Sequence, residues 1–348
     1  MPVLYVTEQD ATVRVSAKSL VVTLDVEAEG KDGAEAVRHR RLIEVEPHRL
    51  EMIGLVGRTH ITSDALHLCL EMGIDISWFA WNGCYLGRIV PKLSRSGDLR
   101  LRQYGTLQDS AACQKWARRT VDAKVANCRE VLQDIRSNDS QNQVLAEAVR
   151  ELARLQSLLA GSDSPERLLG LEGSAARVYF QALGSAFRAE IIFDHRERRP
   201  PPDPANALLS FAYVLLGNRL GGMLEARGLD PALGFFHEAG GGRPSLALDL
   251  LEEFRAPVVD RFVLRSCNLR ILRKDMFEPD QENIGGVRLT KDGLKTFFQE
   301  WEAHLLRPLR EKDGDSRLAV LPLLERQIER VVADLRGTEA YRPFLYGG

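Results

Sequence analysis

The 348-residue chain has little of what usually announces a function. Five cysteines, Cys69, Cys84, Cys113, Cys128 and Cys267, are odd in number and widely scattered, with no CxxC pair. Neither a disulfide framework nor a zinc ribbon is supported, and these side chains read as small buried hydrophobes. No apolar run approaches the roughly 18 uncharged residues that a membrane span requires. The opening MPVLYVTEQD has neither a basic leader nor a cleavage site, so the expectation is a soluble cytoplasmic protein with no membrane partner. An excess of one charge is missing too: 47 Lys and Arg stand against 49 Asp and Glu, a net charge of −2. Any case for nucleic-acid binding therefore has to rest on local clusters. There is no GxGxxG, no P-loop GK[ST], no HExxH and no GxSxG, which leaves dinucleotide binding, ATP hydrolysis, a zinc protease site and a serine elbow without support.

What is present is ample apolar content, 44%, in a length that suits about two domains. From Val3 to about Lys92, residues alternate with period two and favour β-branched types in LYV, TVRV, LVVTL, RLIEVE, IDISWFA and YLGRIV. The pattern predicts six short strands. Within it, ITSDALHLCLEMG offers Ser63 as a helix N-cap and Gly73 as the stop. PKLSRSGDLRLRQYG loses the alternation and marks a connection. Beyond Tyr104 apolar residues recur at three and four, predicting helices over 107–136, 144–160, 165–187, 204–227, 244–255, 257–277, 291–310 and 317–336. Ser164-Pro165 and Asp203-Pro204 each place a side-chain acceptor at the N-cap and a proline at the first helical position. The proline-stiffened RERRPPPDP, 196–204, reads as a semi-rigid connector, and no internal repeat is found. The expected fold class is α+β multidomain: a small β-rich N-terminal domain, 1–92, a linker, 93–106, and a larger all-helical catalytic domain, 107–310. A helical extension, 311–348, has no assigned role.

Two segments concentrate chemistry. GFFHEAGGGRPSLALDLLEEF, 234–254, sets His237 and three glycines ahead of a helix bearing Asp249, Glu252 and Glu253. At 100° per residue these acids fall within an arc of about 100°, beside an apolar row of Leu246, Leu250 and Phe254. A solvated acidic face behind a glycine loop fits these residues as well as half of a site does. SPERLLGLEGSAARVYF, 164–180, surrounds Glu172 with Gly170, Gly173, Ser174, Ala175 and Ala176. Such small residues predict a tight helix crossing at which Glu172 is the one long polar group, and a surface glutamate is the alternative. Were Glu172, His237 and an acid of the second helix to converge, they would make a mixed oxygen and nitrogen site suited to Mg²⁺ or Mn²⁺. His237 could instead serve as a general acid or base. Local basic clusters lie at 88–102, with Arg88, Lys92, Arg95, Arg100 and Arg102, at Arg196, Arg198 and Arg199, and on the helix after Pro257, with Arg261, Arg265, Arg270, Arg273 and Lys274.

At these residues the chain resembles the CRISPR-associated integrase family, the endonuclease subunit that inserts spacers during adaptation. Three blocks in order carry the likeness: LLGLEGSAARVYF around Glu172, RRPPPDPANALLSFAYVLL from Arg198, and GFFHEAGGGRPSLALDLLEEFRAPVVDR from Gly234. With the β-rich-then-helical organisation, it covers roughly residues 1 to 310. The resemblance implies Mg²⁺ or Mn²⁺ held by Glu172, His237 and Glu252, with Asp249 as an accessory catalytic group. Many relatives carry Asp where this chain has Glu252, so ligand and accessory roles are open to exchange. Asp203 and Asn206 recur beside the family's site, and capping of a helix by Asp203 explains them equally well. Also implied are a homodimer formed through the β-rich domain, a small second adaptation protein, duplex DNA with single-stranded ends, and the CRISPR repeat as target. The implied reaction is transesterification by a DNA 3′-hydroxyl, with no protein nucleophile. Arg88, Lys92, Arg261 and Arg265 are the candidate phosphate contacts. A non-catalytic DNA-binding scaffold subunit of the adaptation complex and a small-molecule metallohydrolase are the other readings.

Overall fold

The structure, a computed structural model, describes the chain apart from residues 1–2, 30–34, 81–84, 92–96, 163, 189, 199, 238–242, 282, 313 and 315–316, with backbone alone described at 25–29 and 35–39. Lys92, Arg95, Arg199, Cys84 and the glycines at 240–242 thus lie outside the described residues. Two compact units, 1–93 and 94–348, divide the chain.

The first unit holds β1 (Val3–Val6), β2 (Ala11–Ser16), β3 (Ser19–Glu29), β4 (Glu35–Val45), β5 (Met52–Val56), β6 (His60–Ile61), α1 (Ser63–Met72), β7 (Asp75–Phe79) and β8 (Tyr85–Ile89). One sheet runs β1-β5-β7-β8 and the other β4-β3-β2-β6. Leu4, Val13, Leu20, Ile53, Leu55, Cys69 and Ile76 close a common core between the sheets and α1. Two strands escaped the sequence reading. MIGLV is β5, paired in parallel with β1 and β7 and buried along its whole length. A strand covered on both faces has no reason to alternate, so a search for period two passes over it. The other, β6, is two residues long. The helix cap also moved by one: the Thr62 side chain accepts from the Ala65 N–H at 3.3 Å, while Gly73 ends α1 in the left-handed region at φ 75°.

The second unit is built from α2 (Gly97–Gln108), α3 (Ser110–Ser137), α4 (Gln143–Leu159), α5 (Pro165–Gly184), α6 (Pro204–Ala226), α7 (Ser245–Phe254), α8 (Arg261–Asn268), α9 (Lys291–Leu305) and α10 (Val320–Leu335). Two short hairpins interrupt it, β9 (Phe277–Pro279) with β10 (Val287–Leu289) and β11 (Leu309–Arg310) with β12 (Arg317–Leu318). The 28-residue α3 is the spine, packed against α4, α5 and α7. Its N-cap Asp109 accepts from the N–H groups of Ala111 and Ala112. Ser164 and Asp203 cap α5 and α6 through the N–H groups of Arg167 and Asn206, as their sequence positions predict. α2 occupies much of the stretch read as connection. Its polar sequence shows little periodicity, because few of its residues face inward, Leu99 and Gln103 among them.

Arg255-Ala256-Pro257, read as the end of a helix, instead continues as a π-helical turn over Arg255–Asp260 that runs directly into α8. The wider turn accepts a proline that an α-helical turn would not. That helix then stops at Asn268 rather than near Phe277, with Arg270 at φ 56°. α6 is long and apolar enough to cross a membrane by composition, yet 61% of that window is buried inside the structure, as a core helix is.

Candidate metal centre

The loop carrying His237 is fixed before its side chain matters. Gln103, fully buried in α2, accepts from the Asp230 N–H at 2.9 Å and donates to the carbonyls of Asp230 and Leu233 at 2.8 and 2.9 Å. Phe235 packs against Trp116 of α3 with ring centroids 4.7 Å apart, and Trp116 stacks on Tyr341 at 4.0 Å. Asp249, 1% exposed, completes the hold. Its Oδ2 accepts from the N–H groups of Phe235 and Phe236 at 2.6 and 3.0 Å, and its Oδ1 accepts from the His237 N–H at 2.9 Å. The same Oδ1 lies 2.7 Å from His237 Nδ1. Gly234 must be glycine here, since a Cβ would stand 2.7 Å from both Asp249 Oδ2 and the Ser245 carbonyl carbon.

Four donors use up the lone pairs of Asp249. They also fix the ring: with Nδ1–H donated to the carboxylate, Nε2 presents its lone pair, the arrangement in which histidine ligates metals. His237 Nε2 lies 3.9 Å from Glu252 Oε1, a gap that one cation with bonds of about 2.1 Å can span.

The acids of α7 are not a solvated face. Asp249, Glu252 and Glu253 are 1%, 4% and 0% exposed, and each has a different job. Glu253 accepts from the hydroxyl of Tyr341, from Gln327 Nε2 at 2.8 Å and from the Phe344 N–H at 2.7 Å. Burial pushes it up to about 7 against those donors. Glu252 has Lys124 Nζ 2.7 Å from Oε2 and Arg255 Nε 3.0 Å from Oε1. Burial alone would raise its pKa, but Arg255 and Lys124 outweigh burial and hold it at about 2. Its Oε2 faces the Lys124 ammonium, and a carboxylate oxygen has a second lone pair with capacity for a ligand bond.

Glu172 reaches the same place from α5, its Oε1 in contact with Lys124 Nζ. The small residues around it do not seat another helix backbone: an added Cβ at Gly170 or Gly173 meets nothing within 4 Å. They leave the outer face of α5 bare beside the glutamate instead. Lys124 stands between the two carboxylates, and among the described residues no group of three such side chains is closed enough to hold an ion as it stands. Two carboxylates and an imidazole nevertheless make a donor set suited to Mg²⁺ or Mn²⁺, so the residues fit the cation.

Lys124 and Arg255 were missed in the sequence. Lys124 sits at an ordinary position of α3 and Arg255 opens the π-helical turn, and no spacing marks either. Burial lowers the Lys124 pKa, but Glu252 and Glu172 more than compensate and raise it above the usual lysine value. Arg255 lies over the Tyr213 ring at 4.5 Å. Behind these residues is a cavity of about 150 Å³ lined by Lys124, Glu172, Tyr179, Arg198, Tyr213 and Asp260 among others. Asp260, raised to about 6 by burial, accepts from the hydroxyls of Tyr179 and Tyr213. The cavity shares Arg196 and Arg198 with a wider cleft of about 570 Å³.

The predicted phosphate contacts are placed differently from one another. Arg261 pairs with Asp134 at 3.0 Å and covers the Tyr346 ring, and Arg265 comes within 3.9 Å of Glu300. Arg88 sits in β8 opposite Ser77 of β7. Asn206, whose N–H donates to the Asp203 cap, is also a structural tie. Its side chain holds the segment before α6 through the His195 carbonyl, the Glu197 N–H and the Arg196 guanidinium.

A family model described as CRISPR associated protein Cas1 matches residues 4–303. The chain belongs to the Cas1 family. A CRISPR-associated endonuclease Cas1 of Thermus thermophilus is 33% identical over 98% of this chain and 96% of its own length. An exonuclease Cas4/endonuclease Cas1 fusion of Geobacter sulfurreducens is also 33% identical, over 90% of this chain, which spans 58% of the fusion. Among solved structures, a Cas1 protein from Thermotoga maritima shares the fold at a TM-score of 0.76 and 24% identity, covering 98% of this chain and 99% of that one. A casposase bound to integration product does so at 0.81 and 20%, covering 99% and 93%. The β-rich unit followed by a mainly helical one is the Cas1 fold.

Proposed function

We propose that this Cas1 protein is a metal-dependent DNA endonuclease and integrase that inserts spacer DNA into a CRISPR array. The observation that supports the reading is that Lys124 joins Glu172 of α5 to Glu252 of α7 while His237 Nε2 lies 3.9 Å from the same Glu252, with Asp249 spent on orienting the histidine. Glu172, His237 Nε2 and Glu252 would hold Mg²⁺ or Mn²⁺, which supplies Lewis-acid charge at the oxygens entering and leaving phosphorus. The rest falls to the chain. Asp249 keeps the imidazole in one tautomer, Arg255 and Lys124 keep Glu252 ionised, and the bare face of α5 lets a DNA backbone approach. In the reaction a DNA 3′-hydroxyl forms a new P–O bond as the bond to the leaving 3′-oxygen breaks; its proton passes to solvent, and the leaving oxygen takes one up from solvent to become the new 3′-hydroxyl. The number of phosphodiesters is conserved, so neither ATP nor a protein nucleophile is required.

The partners proposed with this activity are duplex DNA with single-stranded ends, the CRISPR repeat, a second copy of the chain and a small second adaptation protein, all in the cytoplasm. Replacing Glu172, His237 or Glu252 by alanine is expected to lower Mn²⁺-dependent strand transfer at least 100-fold, and full activity in Glu172→Ala would overturn the mechanism. One observation favours the scaffold reading: Lys124 already balances the two carboxylates, as in a purely structural ion pair. Calorimetric titration with Mn²⁺ separates the two, since a scaffold takes up no metal.

A further inference from the structure

We propose that Lys124 is an internal competitor for the metal, an ammonium that occupies the cation position between Glu172 and Glu252 and has to leave it when the divalent ion enters. The inference rests on the metal-dependent reading above and adds a control on it. Lys124 Nζ is 2.7 Å from Glu252 Oε2 and in direct contact with Glu172 Oε1. Glu172 and Glu252 project from different helices, and the space between these oxygens is where an ion bridging them would sit. A divalent ion with oxygen bonds of about 2.1 Å and an ammonium with contacts near 2.8 Å cannot share it.

The ammonium has reason to be there and a place to go. Glu252 is 4% exposed, and a buried carboxylate without a cation is strongly disfavoured. Lys124 therefore balances the charge of Glu252 and holds the two carboxylates in position before the metal arrives. The lysine side chain also lines the cavity of about 150 Å³ that Asp260 lines from another side. That volume exceeds the share of liquid occupied by one water, about 30 Å³, so the flexible four-carbon stem can swing into it without unfolding α3. The consequence is a site whose metal affinity is held down by its own lysine.

The test uses the full chain, Mn²⁺ and Lys124→Met, which removes the charge and keeps the stem. Titration calorimetry is expected to show Mn²⁺ binding at least tenfold more tightly in the variant. Without metal the variant melts below the wild type, and with saturating Mn²⁺ its melting temperature rises by more than that of the wild type. Lys124→Arg, which retains the charge, is expected to bind no more tightly than wild type. Should Lys124→Met not fold, Lys124→Gln gives the same comparison. Equal or weaker Mn²⁺ binding in the neutral variant, beside clear binding by wild type, overturns the competitor role and leaves the metal reading intact. Absence of binding in both proteins overturns the metal reading, and the competitor role with it.

Discussion

Asp249 holds His237 at two points. One carboxylate oxygen accepts from the histidine's backbone N–H at 2.9 Å and lies 2.7 Å from the ring Nδ1, while the other accepts from the two preceding N–H groups. An acid engaged in this way is a positioning residue. Glu252 Oε2 by contrast faces the Lys124 ammonium, which supports Glu252 rather than Asp249 as the proposed ligand.

Asp249→Asn therefore turns an amide N–H₂ toward backbone donors. It is expected to cost about 2–4 kcal/mol of stability and to weaken Mn²⁺ binding about 10- to 100-fold, the usual effect of losing a partner that orients a metal-binding histidine. Urea unfolding and Mn²⁺ titration of the folded variant measure the two separately. Unchanged Mn²⁺ affinity would remove Asp249 from the site.

Gly234→Ala attacks the same contact from the other side. Its Cβ would meet Asp249 Oδ2 and backbone at 2.7 Å, and backbone cannot yield as a flexible side chain does. The expected loss is about 1–3 kcal/mol, the range for overpacking, with reduced strand transfer. Wild-type stability and activity in this variant would mean that the loop carrying His237 has room the structure does not give it.

The segment around Tyr341 to Tyr346, for which the sequence suggested no role, braces the back of α7. Asn127 of α3 donates to the carbonyls of Glu253 and Phe344 at 2.8 and 2.9 Å and accepts from the Tyr346 N–H. Phe254 and Phe344 stack at 5.0 Å. Tyr341→Phe removes one donor from buried Glu253 and is expected to lower stability by about 1.5–3 kcal/mol, read as a shift of the urea midpoint. No shift would show that the hydroxyl is not needed to satisfy Glu253.

His304 supplies a pH dependence away from the site. Its Nε2–H donates to the Val258 carbonyl at 2.9 Å, and Nδ1 is buried without a partner. Burial lowers its pKa from 6.5 to about 4. The folded protein thus binds the proton less readily than the unfolded chain. Stability from the neutral ring is complete above pH 6.5 and drains away as pH falls toward 4, by at most about 3 kcal/mol. His304→Gln is expected to lose less stability than wild type over that range in urea melts at stepped pH, and parallel profiles would contradict the burial of a neutral ring.

Much of this was legible where the physics is local. Ser164-Pro165 and Asp203-Pro204 start helices because a cap and its proline need only adjacent residues. The split into a β-rich and a helical part follows from a change of period near Leu93. What failed was non-local: MIGLV does not alternate because its covering faces come from elsewhere, and Pro257 does not break its helix because a π turn absorbs it. The glycines beside Glu172 were read as a helix crossing and instead face open space, a difference that only the position of neighbouring elements sets.

The sequence by itself pointed to Glu172, His237, Asp249 and Glu252 as one site only through its resemblance to a family in three ordered blocks, since the spacing of acids on one helix fitted a solvated face as well. Only the tertiary structure decided how they share the work. Asp249 becomes an orienting group because folding brings three backbone N–H groups and an imidazole onto its two oxygens. Glu252 stays ionised because Arg255, at the start of the π turn, and Lys124, within α3, are carried to it from positions that no sequence spacing marks. Electrostatic partnership in a buried site depends on distances of a few ångströms between distant segments, and a linear sequence does not contain those distances.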